Sequence, residues 1–501
     1  MLPTGSVWIP AGESLPVSVT ASPGATVRLR RPGGFILTLS ADSNAAPVAS
    51  GLRAFDRDER NLVRRGLGDR YVGVLRDIPP EPSAPLLGTQ SPPIGTRGWQ
   101  VEVIVGDDTV RQAWPLAIRT TSAPIAVVLD DDRAKRGDTD RTTIGRTTPG
   151  GTYAWFFPAG THAQADARIG NDVRLRLSRD AIAWVPIEEV HRRPASDDPR
   201  PARMGALTLT KDSEYTRLRI PLSHPVPLQV EQEFDRITVR LFGAFGDADW
   251  TRYDSGPDFV RLLSWRQSSS DQVELVAAFD RPLWGWRVRV DNSDLVLDFR
   301  EPPVIDASNP LRGRNVVVDA GHPPLGACGP SGACESELNL LIAQQVDKRL
   351  RDAGARVTMT RADSSPVGLS RRVAIADSVG AEILVSIHNN ALPDGVNPFT
   401  NSGSSTFFNH PNSIGLARAV QEQMVRNFGT RDLGVARGDL ALVRPTWYPA
   451  ILTEGLFMMI PRHEAALLSR AGQAKYADAV VDGIAEWLRG AQRSPSGGAR
   501  Q

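Results

Sequence analysis

The last third of the chain alternates strand-like and helix-like segments, and this alternation restricts the fold more than any other feature. The apolar segment VVVDAGH (316–322) precedes an amphipathic segment at 335–354. Two further apolar segments, EILVSIHNN (382–390) and PAILTEGLF (449–457), are also followed by helical patterns. Strands that alternate with helices of this length are typical of α/β folds. We therefore predict that residues 314–490 form a C-terminal α/β domain with a mostly parallel sheet flanked by helices.

The first 300 residues show short apolar or alternating segments separated by glycine and proline, a pattern that predicts β-strands. The chain is therefore predicted to be multidomain, with all-β domains before the α/β domain. Within this part, Trp284 and Trp286 fit a buried core or a turn better than a sugar-stacking surface. The remaining predicted units are a β-sandwich at 1–120, a small SH3-like barrel at 121–195, a β-rich accessory domain at 203–301 and a frayed tail at 491–501.

Length and composition exclude several classes of protein. A chain of 501 residues is expected to divide into domains of about 100–200 residues. Its formal net charge of +1 provides no general attraction to nucleic acid. No window holds the ~18 uncharged apolar residues of a transmembrane segment. The start, MLPTGSVWIP, lacks the features of a signal peptide, so the chain is either cytosolic or a trimmed mature form.

Both cysteines of the chain, Cys328 and Cys334, lie between the first strand and the first helix of the predicted α/β domain. A disulfide across this short loop requires an oxidising compartment. Two free thiols in a tight turn fit the sequence equally well, so both states remain open.

Four ionisable residues are expected to meet at one edge of the predicted sheet. His322 and His388 follow apolar strands, Glu335 begins a helix, and Glu454 lies near the end of a later strand. Active sites of open α/β sheets form where loops leave the carboxyl ends of the strands. Each residue also has a purely structural interpretation; a glutamate at a helix start, for example, gains about 0.3–1 kcal/mol from the helix dipole.

Taken together, these four residues fit a catalytic zinc site. Zinc hydrolases commonly use three nitrogen and oxygen ligands, and the metal lowers the pKa of a bound water to about 7. His322, Glu335 and His388 fit the ligand roles. Glu454 then fits the role of general base and proton carrier.

A family resemblance strengthens this interpretation. Residues 314–490 resemble the type-3 family of zinc-dependent N-acetylmuramoyl-L-alanine amidases, and five segments match in the family's order. These segments are VVVDAGH (316–322), ESELNL (335–340), GARVTMTRADSSPVGLSRRVAIAD (354–377), ILVSIHNNA (383–391) and YPAILTEGLFM (448–458).

The resemblance implies one zinc ion held by His322, Glu335 and His388, with Glu454 as the catalytic glutamate. It implies hydrolysis of the amide between N-acetylmuramic acid and the L-alanine of the stem peptide in peptidoglycan. A periplasmic or extracellular location would follow. The β-rich N-terminal domains would bind the wall or a divisome or wall-associated partner, an expectation that rests on analogy alone.

The sequence departs from the family at the first histidine, where Pro323-Pro324 replaces the usual Gly-Gly and removes two backbone donors. The substitution keeps open the alternative of a catalytically inactive wall-binding protein. A zinc peptidase that cuts within the stem peptide also stays open, because it would use the same metal chemistry. Some family members carry a long helical insertion that plugs the metal site. No such insertion is expected here, because HPNSIGLARAV (410–420) leads directly into the next helix.

Overall fold

A computed structural model describes most of the chain, and it confirms a multidomain protein with a mostly β N-terminal region and a C-terminal α/β domain. Pro324, residues 195–200 and the predicted tail from residue 493 onward lie outside the described residues. The described residues are 1–31, 34–42, 69–76, 86–87, 98–129, 142–194, 201–254, 259–323, 326–392 and 396–492.

The described strands up to residue 192 form two sheets. A six-stranded sheet has the order β2-β5-β4-β3-β6-β7, and a nine-stranded sheet contains the others. In the nine-stranded sheet, β1 pairs with β8 on one side and with β12 on the other, so one sheet joins strands from both sides of residue 120. The strands are β1 (Gly5–Pro10), β2 (Leu15–Ala21), β3 (Thr26–Arg30), β4 (Ile36–Ala41), β5 (Asp69–Leu75), β6 (Trp99–Val105), β7 (Asp108–Trp114), β8 (Leu116–Thr121), β9 (Ile125–Leu129), β10 (Thr142–Arg146), β11 (Tyr153–Pro158), β12 (His162–Ile169), β13 (Asp172–Arg176), β14 (Ile182–Pro186) and β15 (Val190–Arg192).

A second β-rich unit follows between residues 202 and 300. A five-stranded sheet (β22-β17-β18-β26-β25) and a four-stranded sheet (β19-β20-β24-β23) enclose one shared apolar core, beside a short β16–β21 pair. Its strands are β16 (Ala202–Met204), β17 (Leu207–Lys211), β18 (Tyr215–Ile220), β19 (Leu228–Gln232), β20 (Arg236–Phe242), β21 (Ala244–Gly246), β22 (Thr251–Asp254), β23 (Val260–Ser269), β24 (Gln272–Phe279), β25 (Gly285–Asp291) and β26 (Asp294–Arg300).

The C-terminal domain contains a six-stranded sheet of order β28-β27-β29-β32-β30-β31. Strands β28, β27, β29 and β32 pair in parallel, whereas β30 runs antiparallel to β32 and parallel to β31. Among the described residues, five helices accompany this sheet, and none has the length and hydropathy needed to cross a bilayer. The elements are β27 (Asn315–Ala320), α1 (Glu335–Asp352), β28 (Arg356–Met359), α2 (Leu369–Ser378), β29 (Ile383–Asn390), β30 (Ser404–Phe408), α3 (Ile414–Phe428), β31 (Asp432–Arg437), β32 (Ala450–Phe457), α4 (Pro461–Leu468) and α5 (Arg470–Gln492).

Strand β27 is apolar on both faces because helices cover both sides of the sheet. Val316 and Val318 join a core with residues of α1, α3 and α5, whereas Val317 packs in a second core with Ala376 of α2. Apolar side chains therefore cover both faces of the central strands, and the carboxyl ends of these strands meet at one edge of the sheet. The described residues between β29 and α3, 391–392 and 396–413, contain strand β30 and a short 3-10 helix at Pro411–Ser413, so no long helical insertion precedes α3 in this part of the structure.

The preceding β-rich unit is fixed against the C-terminal domain through strand β25. Trp284, only 3% exposed, stacks on Trp487 of α5 with ring centroids 4.8 Å apart, and its indole Nε1 donates to the carbonyl of Glu382 at 2.9 Å. The amide of Trp286 donates to the carbonyl of Thr446 at 2.8 Å. Both tryptophans are buried, as predicted, and Trp284 belongs to the core of the C-terminal domain.

Candidate metal centre

The carboxyl edge of the central strands brings the predicted site residues together. His322 follows β27, Glu335 is the first residue of α1, and His388 lies near the end of β29. Glu454 of β32 is the register partner of His388. Because adjacent parallel strands place register partners on the same face of a sheet, these two side chains are neighbours.

His322, Glu335 and His388 form a compact cluster. Nε2 of His322 lies 3.1 Å from Oε2 of Glu335, and Nδ1 of His388 lies 3.0 Å from Oε1 of the same carboxylate. The two imidazole centroids are 5.0 Å apart, and the three candidate ligand atoms all lie within 4.8 Å of one another. Two imidazoles and one carboxylate are a donor set that suits zinc, so the residues fit the metal that the sequence predicts.

The carboxylate of Glu335 is held in its charged form although it is buried. Burial alone would raise its pKa, but hydrogen bonds and charge interactions with His322 and His388 outweigh this effect and lower the pKa of Glu335 below its ordinary value. The carboxylate is therefore deprotonated at neutral pH, which is the form that binds a metal.

Glu454 has the opposite electrostatic environment. Its side chain is fully buried, and neither carboxylate oxygen has a hydrogen-bond partner among the described residues. Burial, together with the negative charge of nearby Glu335, raises the pKa of Glu454 well above its ordinary value. A buried carboxyl group without a partner is costly, and perturbed groups of this kind are concentrated at functional sites.

Gly321 allows the first strand to approach the second histidine closely. A Cβ atom on Gly321 would lie 2.4 Å from Cε1 and Nε2 of the His388 ring, so any larger side chain would displace that imidazole. The residue before His322 must consequently be small. The DAGH motif already shows a glycine at this position. The need for a glycine becomes clear only from its contact with the ring of His388.

Two buried arginines hold the backbone around His322, whose φ of 61° is unusual for a non-glycine residue. Arg372 donates to the carbonyls of Ala320 and His322, each at 2.8 Å, and forms an ion pair with buried Asp319 at 2.8 Å. Arg361 donates to the carbonyls of Ala320 and Gly321 at 2.8 and 2.9 Å. Sequence reasoning placed these arginines in family motifs but gave them no role.

The two cysteines form a disulfide, which resolves the alternative left open by the sequence. Cys334 directly precedes Glu335, and the amide of Glu335 donates to the carbonyl of Ala327 at 2.8 Å. Inside the bridged loop, Ser331 donates through its amide and its hydroxyl to the carboxylate of Glu464 in α4. The loop that connects two candidate ligands is thus held both covalently and by hydrogen bonds.

Comparison with known proteins gives a consistent family for this part of the chain. The family model described as N-acetylmuramoyl-L-alanine amidase matches residues 316–486. An uncharacterised Bacillus subtilis protein, YqiI, is 35% identical over 188 residues, which span 36% of this chain and 88% of YqiI. The N-acetylmuramoyl-L-alanine amidase LytC of the same organism is 32% identical over 187 residues, or 36% of this chain and 37% of LytC.

Two further proteins show similarities of comparable extent. The probable cell wall amidase LytH of Staphylococcus epidermidis is 28% identical, and the match spans 61% of LytH. Among solved structures, the catalytic domain of CwlV, an N-acetylmuramoyl-L-alanine amidase from Bacillus (Paenibacillus) polymyxa, is 30% identical, with a TM-score of 0.33. That match covers 35% of this chain and 98% of the CwlV domain.

Proposed function

The chain belongs, through its C-terminal domain, to the N-acetylmuramoyl-L-alanine amidase family, and on this premise we propose that it hydrolyses the amide between N-acetylmuramic acid and the L-alanine of the stem peptide. The observation that carries the proposal is the pairing of two differently charged carboxyl groups. Glu335 lies between two imidazoles and is ionised, whereas neighbouring Glu454 is buried without a hydrogen-bond partner in the described structure. Two carboxyl groups whose pKa values are pushed apart are typical of hydrolytic sites.

We assign the ligand roles to His322, Glu335 and His388, for one zinc ion in the C-terminal domain. A bound zinc ion supplies Lewis acidity, which polarises a carbonyl oxygen and favours the ionised form of water near neutral pH. In the chain itself, Glu335 contributes a negative charge, and the two histidines contribute imidazole nitrogen atoms. Arg361 and Arg372 hold the backbone that carries His322.

Glu454 supplies the proton transfers. With a cation bound beside it, a carboxylate oxygen of Glu454 accepts a proton from the attacking water. The same oxygen then delivers this proton to the nitrogen of the leaving L-alanine, so that a neutral amine departs. A carboxyl group with a raised pKa suits both steps, because general acid–base catalysts are most effective when their pKa lies near the working pH.

The remaining features support a role at the cell envelope. A disulfide is expected in an oxidising compartment, which agrees with a periplasmic or extracellular enzyme that acts on peptidoglycan. We propose that the N-terminal β-rich units, which comprise the two sheets before residue 195 and the accessory domain at 203–301, hold the enzyme on the wall or on a wall-associated protein. The burial of Trp284 against α5 would transmit that attachment rigidly to the catalytic domain.

Mass spectrometry of purified peptidoglycan digested by the zinc-loaded protein tests the proposed activity. An amidase releases intact stem peptides with a free L-alanine amino group and leaves the glycan strands uncut. Cleavage inside the stem would instead identify a zinc peptidase. No release at any zinc concentration would favour an inactive wall-binding protein and would contradict the proposal.

A further inference from the structure

A buried asparagine of α1, Asn339, contacts the carboxylate of Glu335. Asn339 lies one helical turn after Glu335, on the same face of the helix, and is fully buried. Its Nδ2 lies 3.2 Å from Oε1 of Glu335 and 3.4 Å from the carbonyl oxygen of Gly321. One side-chain amide thus connects Glu335 with the strand end that precedes a second candidate ligand, His322.

A second asparagine completes this connection. Nδ2 of Asn389 donates to Oδ1 of Asn339 at 3.0 Å, and the Asn389 backbone amide donates to Oε1 of Glu335 at 3.2 Å. Oδ1 of Asn389 accepts the backbone amide of Leu456 at 3.2 Å. Asn389 follows His388, and Leu456 lies two residues after Glu454, so the amide pair connects all four chain segments that carry site residues.

The hydrogen-bond pattern also fixes how both amides are oriented. With the amide of Asn339 reversed, its oxygen would face a carboxylate and a carbonyl, which are both acceptors. With the amide of Asn389 reversed, its NH2 group would face the backbone amide of Leu456. Every polar atom of the two side chains has a partner in the observed orientation, and the pair adds no charge next to the site.

We propose that Asn339 and Asn389 are positioning residues that set the metal affinity of the site by fixing the carboxylate of Glu335 relative to both histidines. This inference rests on the proposed metal binding. Groups that hydrogen-bond a metal ligand orient it, and their removal typically weakens metal binding or activity about 10- to 100-fold. Asparagine is also a poorer helix former than alanine, so its presence inside α1 gains nothing for the helix itself.

The zinc affinity of the Asn339→Ala variant, measured by competition with a chromophoric chelator, tests the proposal. Alanine removes both donor contacts while favouring the helix, and we expect zinc to bind about 10- to 100-fold more weakly. Excess zinc should restore much of the lost amidase activity, which a general folding defect would not allow. Asn389→Ala should show the same loss, and the double variant little more than the larger single effect, because the two residues act as one unit.

Gln421 provides a matched control. It is a buried amide of α3 that bonds Ser404, Thr406 and Asp432, away from the candidate ligands. Gln421→Ala should lower the melting temperature and leave zinc affinity unchanged. Folded Asn339→Ala or Asn389→Ala protein that binds zinc as tightly as wild type would overturn the inference, whereas wild-type protein that binds no zinc would instead refute the proposed function.

Discussion

His388 and Glu454 are register partners on the adjacent parallel strands β29 and β32, so the sheet itself places a candidate metal ligand beside the candidate proton carrier. Their spacing depends on hydrogen bonds between two central strands rather than on loops. On the other side of β29, strand β27 leads to His322, and the chain returns to Glu335 at the start of α1. Two of the four site residues thus lie on central strands, and the other two lie just after β27 and at the start of α1.

Replacement of Glu454 by glutamine should abolish amidase activity without removing the metal. Glutamine keeps the shape of the side chain but carries no proton between water and the leaving amine, so the rate should fall about 10²- to 10⁴-fold. Zinc content should stay at one ion per chain, because the three ligands are intact. Glu382→Gln is a matched control: Glu382 binds Arg314 and the amide of Asn315 at the opposite end of the sheet and should leave the rate unchanged. Wild-type activity in Glu454→Gln would remove this residue from the mechanism.

Replacement of Gly321 by alanine should weaken metal binding by crowding His388. The added methyl group would lie 2.4 Å from the imidazole, and overpacking of this kind typically costs about 1–3 kcal/mol. If the zinc-bound geometry bears this whole cost, zinc affinity should fall about 5- to 150-fold, which isothermal titration calorimetry would measure. Gly490→Ala, whose Cβ meets nothing within 4 Å, should bind zinc like wild type. Unchanged affinity in Gly321→Ala would show that the ring has room to move.

Acidification should destabilise the protein through His410. Burial lowers the pKa of His410 from 6.5 to about 4, and its ring lies against Trp286 at the interface with the β-rich unit. The folded state then binds fewer protons than the unfolded state, so this stabilisation is complete above pH 6.5 and decreases as the pH falls toward 4. The full difference corresponds to about 3 kcal/mol.

The comparison of wild type with His410→Gln isolates this effect. Glutamine can still donate to the carbonyl of Arg444, which Nε2 of His410 contacts at 2.8 Å, but it does not titrate. The wild-type melting temperature should therefore fall more steeply between pH 7 and pH 5 than that of the variant. Parallel curves would show that His410 contributes nothing to the acid response.

Truncation of Trp284 should loosen the attachment of the β-rich unit. Removal of a buried tryptophan typically costs about 3–5 kcal/mol, and here it also removes the hydrogen bond to the carbonyl of Glu382. We expect Trp284→Ala to melt earlier and to become sensitive to protease in the 301–313 connection. Trp250→Ala is the control, because Trp250 is 57% exposed and its loss should change stability by less than about 0.5 kcal/mol. Protease resistance equal to wild type in Trp284→Ala would contradict this role.

Loss of the disulfide should lower stability. In the chain-entropy description, a loop as short as that between Cys328 and Cys334 contributes about 2 kcal/mol. The double variant Cys328→Ser/Cys334→Ser should therefore melt at a lower temperature. A phosphine reductant should produce the same decrease in wild type and none in the double variant. Identical melting of all four samples would show that the loop is held by Glu464 and its other hydrogen bonds alone.

The sequence was sufficient to predict the five helices and five of the six described strands of the C-terminal domain, because apolar residues mark them. The edge strand β31 was not predicted, because its residues are exposed or half-buried and show no clear apolar pattern. It also singled out the four residues that meet at the sheet edge, since each lies at or just after the end of a predicted strand or at the start of a predicted helix. Their metal and proton-transfer roles remain predictions until a metal is measured. The disulfide was left undecided, because spacing alone does not report the distance between two sulfur atoms.

Other features depend on contacts between distant parts of the chain and could not be predicted from sequence. The pairing of β1 with β8 joins residues near the start of the chain to residues near 120, and no local sequence pattern predicts this pairing. Asn339 looks like an ordinary helix residue until Asn389 and Glu335 are placed beside it. The roles of Gly321 and Arg372 likewise depend on residues that are distant in sequence: Gly321 packs against His388, and Arg372 donates to the carbonyl of His322.

The most direct test of the central claim is a crystal structure of the zinc-loaded protein with anomalous diffraction measured at the zinc edge. We expect one zinc peak, with nitrogen atoms of His322 and His388 and a carboxylate oxygen of Glu335 at about 2.0–2.2 Å. Glu454 should lie nearby without coordinating the ion. A peak bound directly by Glu454, or one located away from these three ligands, would contradict the account.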